Sequence, residues 1–177
     1  MRSIYLHKIA DYYANEFDTR CPFELLDAIG AITMFDYDFS PKGLKGLATY
    51  MNNFPYAVIN GNLSKIKQRL VAGHEAGHLI LHKPEILQLG AFKDYRVYGD
   101  TSKLEYEADI FMVNFLISDK DVLDAIANDH DGNFFTTAAE LFMPHQLLAY
   151  KLHNMTQRGH HVKSPIDLDM KFFQKLT

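Results

Sequence analysis

The sequence predicts an α+β fold, mostly helical, with a small and mainly antiparallel three-stranded sheet. Three observations carry this. Most of the chain repeats apolar residues every three or four positions, one middle stretch alternates them instead, and turn-forming residues separate the two kinds of text.

Residues 4–17 place Ile4, Leu6, Ile9, Tyr12, Tyr13 and Phe17 at helical spacing and read as an amphipathic helix. A second helix starts near Pro22, a residue suited to a first helical turn, and carries Phe23, Leu25, Leu26 and Ile29. Over 31–39 the apolar residues alternate as in a strand, until Ser40-Pro41 stops it. Two further extended pieces, near 46–51 and 56–59, flank the turn-like Asn52-Asn53 and complete the sheet. From Asn62 or Ser64 the helical period returns. Leu63, Ile66, Leu70, Val71, His74, Gly77, His78 and Leu81 share one side, and Pro84 follows the end. Residues 85–103 show no clear period and read as a loop with at most one short turn. A strong helix spans 102–117 with Leu104, Ala108, Phe111, Met112 and Phe115 inward. Shorter helices follow at 118–127 and 136–142, and Pro144 opens a last one through Met155.

Composition narrows the function classes. A chain of 177 residues that is 47% apolar, with 10 Gly and 6 Pro, can close a core without staples. No repeat or linker interrupts it, so residues 1–177 are expected to form one domain, with 155–177 as a weakly specified tail. Cys21 has no partner in the chain, which fits a reducing, cytoplasmic setting. The first 17 residues carry charges throughout and do not read as a signal peptide. No segment approaches the roughly 20 apolar residues that cross a bilayer. With 18 Lys+Arg against 22 Asp+Glu, a formal charge of −4 argues against binding nucleic acid through bulk charge. Residues 136–155 have a helix-turn-helix look, yet Lys151 is their only cation before Arg158, too few to neutralise phosphates. Nine histidines in an acidic chain raise another question, whether some of them hold a metal.

Residues 74–78 read His-Glu-Ala-Gly-His, an HExxH pattern on the helix just described. At 3.6 residues per turn His74 and His78 lie nearly one above the other, so two imidazoles can reach one ion. Glu75 projects roughly 100° away from His74 and suits a base beside the metal rather than a ligand. With zinc bound, a water in the open position is acidified toward a pKa of about 7, and a carboxylate beside it can take its proton. Chance gives this pentapeptide in about 2% of shuffled chains of the same composition, so context must support it. Both histidines fall on the apolar stripe shared with Leu70 and Leu81, where an unpaired imidazole is costly and a metal satisfies its nitrogen. Gly77 between them lowers helix propensity but lets another backbone or a substrate come close.

A catalytic zinc takes three protein ligands and keeps one position open. Glu105 and Asp109 supply candidates, in a helix beginning its acidic run 27 residues after His78. Four apart and on one face, one carboxylate can bind metal while the next accepts the outer N–H of a ligand histidine. Glu107 faces elsewhere and reads as a solvated surface carboxylate. Of two rivals, His82 continues the four-residue series, but successive turns rise about 6 Å and three in a row rarely converge on a tetrahedral ion. It is expected behind the ligands, on the substrate side or in the core. Cys21, in Arg-Cys-Pro-Phe, reads as a small apolar filler. Zinc is the expected ion, and Mn²⁺ suits the same two-histidine, one-carboxylate set.

The run LVAGHEAGHLILH followed by EYEADIFMVNFLIS resembles the ImmA/IrrE family of metallo-endopeptidases, with a HExxH helix and then a Glu-x-x-Ala-Asn/Asp helix ending in Leu-Leu-Met-Pro. FSPKGLKGLATYMNNFPYAVINGNLSKIKQRL is similar to that family's approach to the zinc helix, and TAAELFMPHQLLAYKLHNM to its closing helices. The resemblance covers roughly residues 1–155 and implies a zincin-like fold with the sheet beside the HExxH helix. It implies zinc on His74, His78 and Glu105, Glu75 as general base, and, through likeness to thermolysin-like zincins, Asp109 supporting a ligand histidine. Phe115 to Ser118 read Phe-Leu-Ile-Ser where the family has Leu-Leu-Met-Pro, and Asp109 replaces the commoner Asn. Members commonly sit in phages and mobile elements and cut a helix-turn-helix repressor encoded nearby, so the resemblance implies a protease with one regulatory substrate. The alternative is a non-cleaving zincin-fold protein that captures the regulator, and Glu75 separates the two, because ligation does not need it. Tyr95, Tyr98, His145 and His153 are the candidates for a further oxyanion donor, with nothing to rank them.

Overall fold

The computed structural model describes residues 3–40, 42–93, 101–128 and 133–162; the expectations for Tyr95, Tyr98 and the tail beyond residue 162 lie outside these. Helices α1 (Ser3–Glu16) and α2 (Pro22–Ala28) form where the apolar spacing places them. Leu6, Ala10 and Ala14 are buried along α1, and Leu25 and Leu26 fix α2 to the core. Between them, the Arg20 guanidinium donates to the carbonyls of Asn114 (2.9 Å) and Phe115 (3.0 Å). These lie in the last turn of a later helix, where carbonyls have no intrahelical partner and a cation is favoured.

The sheet contains β1 (Ile32–Asp36), β2 (Gly46–Met51), β3 (Phe54–Asn60) and β4 (Phe92–Lys93), in the order β1-β3-β2-β4. β2 and β3 form an antiparallel hairpin with Met51 opposite Phe54. Its turn residues Asn52 and Asn53 both have left-handed backbones (φ 51° and 66°), which asparagine tolerates and a tight hairpin turn requires. The structure adds two features to the expected sheet. The two-residue β4 pairs antiparallel with β2, and β1 runs parallel to β3, with Ile32 opposite Tyr56. Alternation assigns residues to faces and leaves the neighbour's direction open.

Helix α3 (Lys65–Leu81) starts at Ser64, whose hydroxyl accepts from the Lys67 N–H. Ala72 and Ala76 share the core with Ala48, Ala57 and Ile59 of the sheet. On its other side α3 lies against α5 (Thr101–Leu116), whose Ile110, Phe111, Val113 and Phe115 are completely buried. Gly77 permits the contact: a Cβ there would stand 3.0 Å from the Ala108 carbonyl oxygen and 3.1 Å from its Cα. A helix pair this close lets short side chains on one reach those on the other.

The segment after α3 departs from expectation. Residues read as loop form α4 (Lys83–Leu89), with Pro84 in its first turn, buried Ile86 as its anchor and Gly90 (φ 82°) at its end. Pro84 therefore opens a helix rather than merely following one, as its fixed φ and missing N–H allow. His82 is the joint: its N–H donates to the His78 carbonyl and its carbonyl accepts from Ile86. α6 (Asp119–Asn128), α7 (Phe134–Glu140) and α8 (His145–Gln157) complete the described chain. Lys151 of α8 is buried, its ammonium 2.7 Å from Asp119 and 2.8 Å from the Asn114 side-chain oxygen. Among the described residues no helix is long and apolar enough to cross a membrane.

Candidate metal centre

His74 and His78 leave α3 toward α5 one turn apart, and α5 meets them with Glu105 and Asp109. The His74 Nε2 stands 3.0 Å from Glu105 Oε2 and 3.0 Å from His78 Nε2, and His78 Nε2 stands 3.4 Å from Glu105 Oε1. Among the described residues these three form the one group of metal-ligating side chains so gathered. Cys21 is not part of it and instead precedes α2, its N–H bonded to Thr19 Oγ1.

The outer nitrogens of both imidazoles are also engaged. His74 Nδ1 lies 2.8 Å from Asp109 Oδ1, and His78 Nδ1 lies 3.0 Å from His82 Nδ1. His82 Nε2 in turn is 3.2 Å from Glu107 Oε2. Glu107 is thus not the solvated carboxylate that its position two residues after Glu105 suggests. It is buried and faces His82. Helical facing separated it correctly from the Glu105–Asp109 face, but its partner is His82, at the end of the four-residue series on α3, which α5 read alone does not offer. The signal that points to it is His82 itself, since a third buried imidazole needs a polar partner.

An ionised carboxylate can only accept, so Asp109 takes the Nδ1–H of His74 and leaves Nε2 as a lone pair. His74 Nε2, His78 Nε2 and the Glu105 oxygens are then acceptors converging on one point. Acceptors packed this closely need a cation between them. A tetrahedral ion with bonds of about 2.0–2.1 Å spaces its ligand atoms about 3.3–3.4 Å apart, close to the separations found. The donor set therefore fits a divalent metal. Without one, a proton has to serve. Burial works against charge on His74, but Asp109 and Glu105 outweigh it and raise its pKa well above the usual imidazole value. Burial pushes His78 down to about 4, Glu105 opposing and His74 adding to the effect. Glu105, although burial raises it, is held far below the usual carboxylate range by its bonds to the two histidines. His82 is lowered by burial despite Glu107.

The Glu75 carboxylate lies on the side of α3 that meets β2. It is 1% exposed, and a Cβ added to Gly46 of β2 would come 2.3 Å from its Oε1 and 2.5 Å from Val71 Cγ1. Gly46 thus leaves the space that the Glu75 carboxylate occupies. His145 meets Phe135 edge-on at 5.4 Å between ring centres, and His153 bonds Gln157, so both are engaged on α7 and α8. His78 is closed off from solvent, whereas Glu105 remains a quarter exposed, so the centre opens on the Glu105 side.

Two imidazoles one helical turn apart and a carboxylate from a second helix, on a mostly helical α+β fold, form a donor set of the kind that metallopeptidases use for a divalent ion. Residues 37–153 match the family model Peptidase_M78, the IrrE N-terminal-like domain, and the chain belongs to that family. The matched span contains His74, Glu75, His78, Glu105 and Asp109. No curated protein matches the chain.

Proposed function

We propose that this chain is a zinc-dependent endopeptidase of the cytoplasm that cleaves a specific helix-turn-helix regulator. The observation that carries the enzymatic part is the convergence of His74 Nε2, His78 Nε2 and the Glu105 carboxylate, 3.0–3.4 Å from one another. When bound there, a divalent ion supplies Lewis acidity toward a scissile carbonyl and lowers the pKa of water. Glu75, next in sequence to His74, takes the proton from the attacking water and delivers it to the leaving amine. Asp109 holds the His74 ring in the tautomer that faces the centre. The regulator as substrate rests on the family resemblance, and co-expression with the product of an adjacent repressor-like reading frame tests it. A clipped regulator supports the reading, and an intact one beside a metal-loaded chain sinks it.

Two further outcomes follow at the site. His78→Ala or Glu105→Ala removes one of three ligands, and bound metal, measured by elemental analysis after gel filtration, is expected to fall from about one per chain to well below that. Gly46→Ala forces the Glu75 carboxylate to move. It is expected to leave metal content unchanged and to lower cleavage on the order of 10²-fold, the scale of a 1 Å misplacement of a reacting group, as read by initial rates on the same regulator.

A further inference from the structure

We propose that Glu107 and His82 form a positioning relay behind the centre, which fixes the tautomer of His78 so that its Nε2 lone pair faces the metal. The relay rests on the metal-centre reading given above.

The argument follows from donor and acceptor counting. A carboxylate only accepts, so with Glu107 Oε2 at 3.2 Å, His82 donates through Nε2–H. A neutral imidazole protonated on Nε2 has an acceptor at Nδ1, and that atom lies 3.0 Å from His78 Nδ1. His78 therefore carries its proton on Nδ1, and its Nε2 is left bare where it meets His74 and Glu105. With the other tautomer of His82, the contact to Glu107 would set two acceptors against each other. Each link is shielded: His78 and His82 side chains are 2% exposed and that of Glu107 is 8% exposed, so water does not take over these roles. The backbone of His82 closes α3 and opens α4 through bonds to His78 and Ile86, and its ring is held by His78 and Glu107. The two ligand histidines are thus oriented differently, His74 directly by a carboxylate and His78 by a carboxylate acting through a second imidazole. Both devices serve one end, since a ligand histidine whose outer N–H is bonded is fixed in orientation and more basic at the metal.

Glu107 and His82 touch neither substrate nor ion in this scheme, so the test must read metal binding rather than rate alone. Zinc alone is the probe, titrated against a chromogenic chelator with the full chain. Glu107→Leu, which removes the acceptor at similar size, is expected to weaken zinc binding by about 10–100-fold, whereas Glu107→Gln, whose carbonyl can still accept, stays within about threefold of the unaltered chain. A Leu variant that holds zinc as tightly as the unaltered chain overturns the relay. So does a Gln variant as weak as the Leu one, because charge and not acceptance would then be what matters. An unaltered chain that binds no zinc brings down the metal-centre reading itself, a separate result. Should the Leu variant fold poorly, long-range ¹H–¹⁵N spectra of the unaltered zinc-loaded chain decide. Protons on His82 Nε2 and His78 Nδ1 support the relay, and a proton on His82 Nδ1 overturns it.

Discussion

Glu75→Gln is expected to leave the metal content unchanged and to lower cleavage of the regulator by about 10²–10⁴-fold, the usual contribution of a general acid–base group. Glutamine keeps the size and one acceptor oxygen but cannot take a proton at neutral pH. The carboxylate is 1% exposed and fits a space left by the missing side chain of Gly46, so a near-isosteric replacement keeps the packing. It also leaves His74, His78 and Glu105 untouched. Metal content by elemental analysis, partner binding by gel filtration and clipping by electrophoresis therefore separate the two functional readings. Loss of clipping with retained binding supports the protease. A regulator inactivated equally well by the Gln variant ends the protease reading and leaves capture without cleavage.

The largest expected effect on stability lies away from the centre. Asp119→Asn is expected to destabilise the chain by about 3–5 kcal/mol, the range for removing one partner of a buried ion pair. The Asp119 carboxylate stands 2.7 Å from Lys151, 2.5 and 2.9 Å from the two terminal nitrogens of Arg158, and 3.4 Å from His160. Lys151 is buried at 1% exposure and the Arg158 side chain nearly so at 9%, so without the carboxylate the lysine keeps only the Asn114 amide oxygen within hydrogen-bond distance and the more distant Asp11. Their environment already strains the lysine, which burial pulls down to about 8 although Asp119 opposes it. Asp119 itself, raised by burial, is driven well below the usual carboxylate value by Arg158 and Lys151. Its folded-state pKa is thus depressed, so its contribution is complete above the unfolded value of about 3.9 and fades as pH falls toward the folded one. Urea midpoints at pH 7 and through the acid range check both parts. The Asn variant should unfold at lower urea at pH 7 and approach the parent below pH 3. Equal midpoints at pH 7 contradict the assignment.

Legibility in the sequence followed locality. The spacing of His74 and His78 fixed their common face, and the four-residue step from Glu105 to Asp109 fixed theirs; Gly77 marked where the two helices approach. Each of these is a property of one helix read along its own axis. Glu107 was not legible in that way, because its partner His82 lies on another helix, at the junction of α3 and α4, 25 residues earlier in sequence. The parallel placement of β1 was equally hidden. It depends on how residues 37–45 cross back to the sheet, which alternation within 31–39 does not encode. The Asp119 cluster joins α6 to the end of α8 across 39 residues of sequence, and Lys151 in isolation reads as an ordinary surface cation. Arg20 is a similar case, since nothing near it in sequence announces the carbonyls of Asn114 and Phe115.

Glu105 comes from a different helix than His74 and His78, so metal binding as proposed has a second consequence. A divalent ion bound as proposed would sit between α3 and α5 and link the two helices, which come together only in the folded chain. Occupancy and folding are then a single linked equilibrium, in which ion held at a thousand times its dissociation constant adds about 4 kcal/mol to the native state. On the proposed metal reading, depleting the ion is expected to lower the amount of folded chain as well as its activity, because a less stable chain is degraded faster.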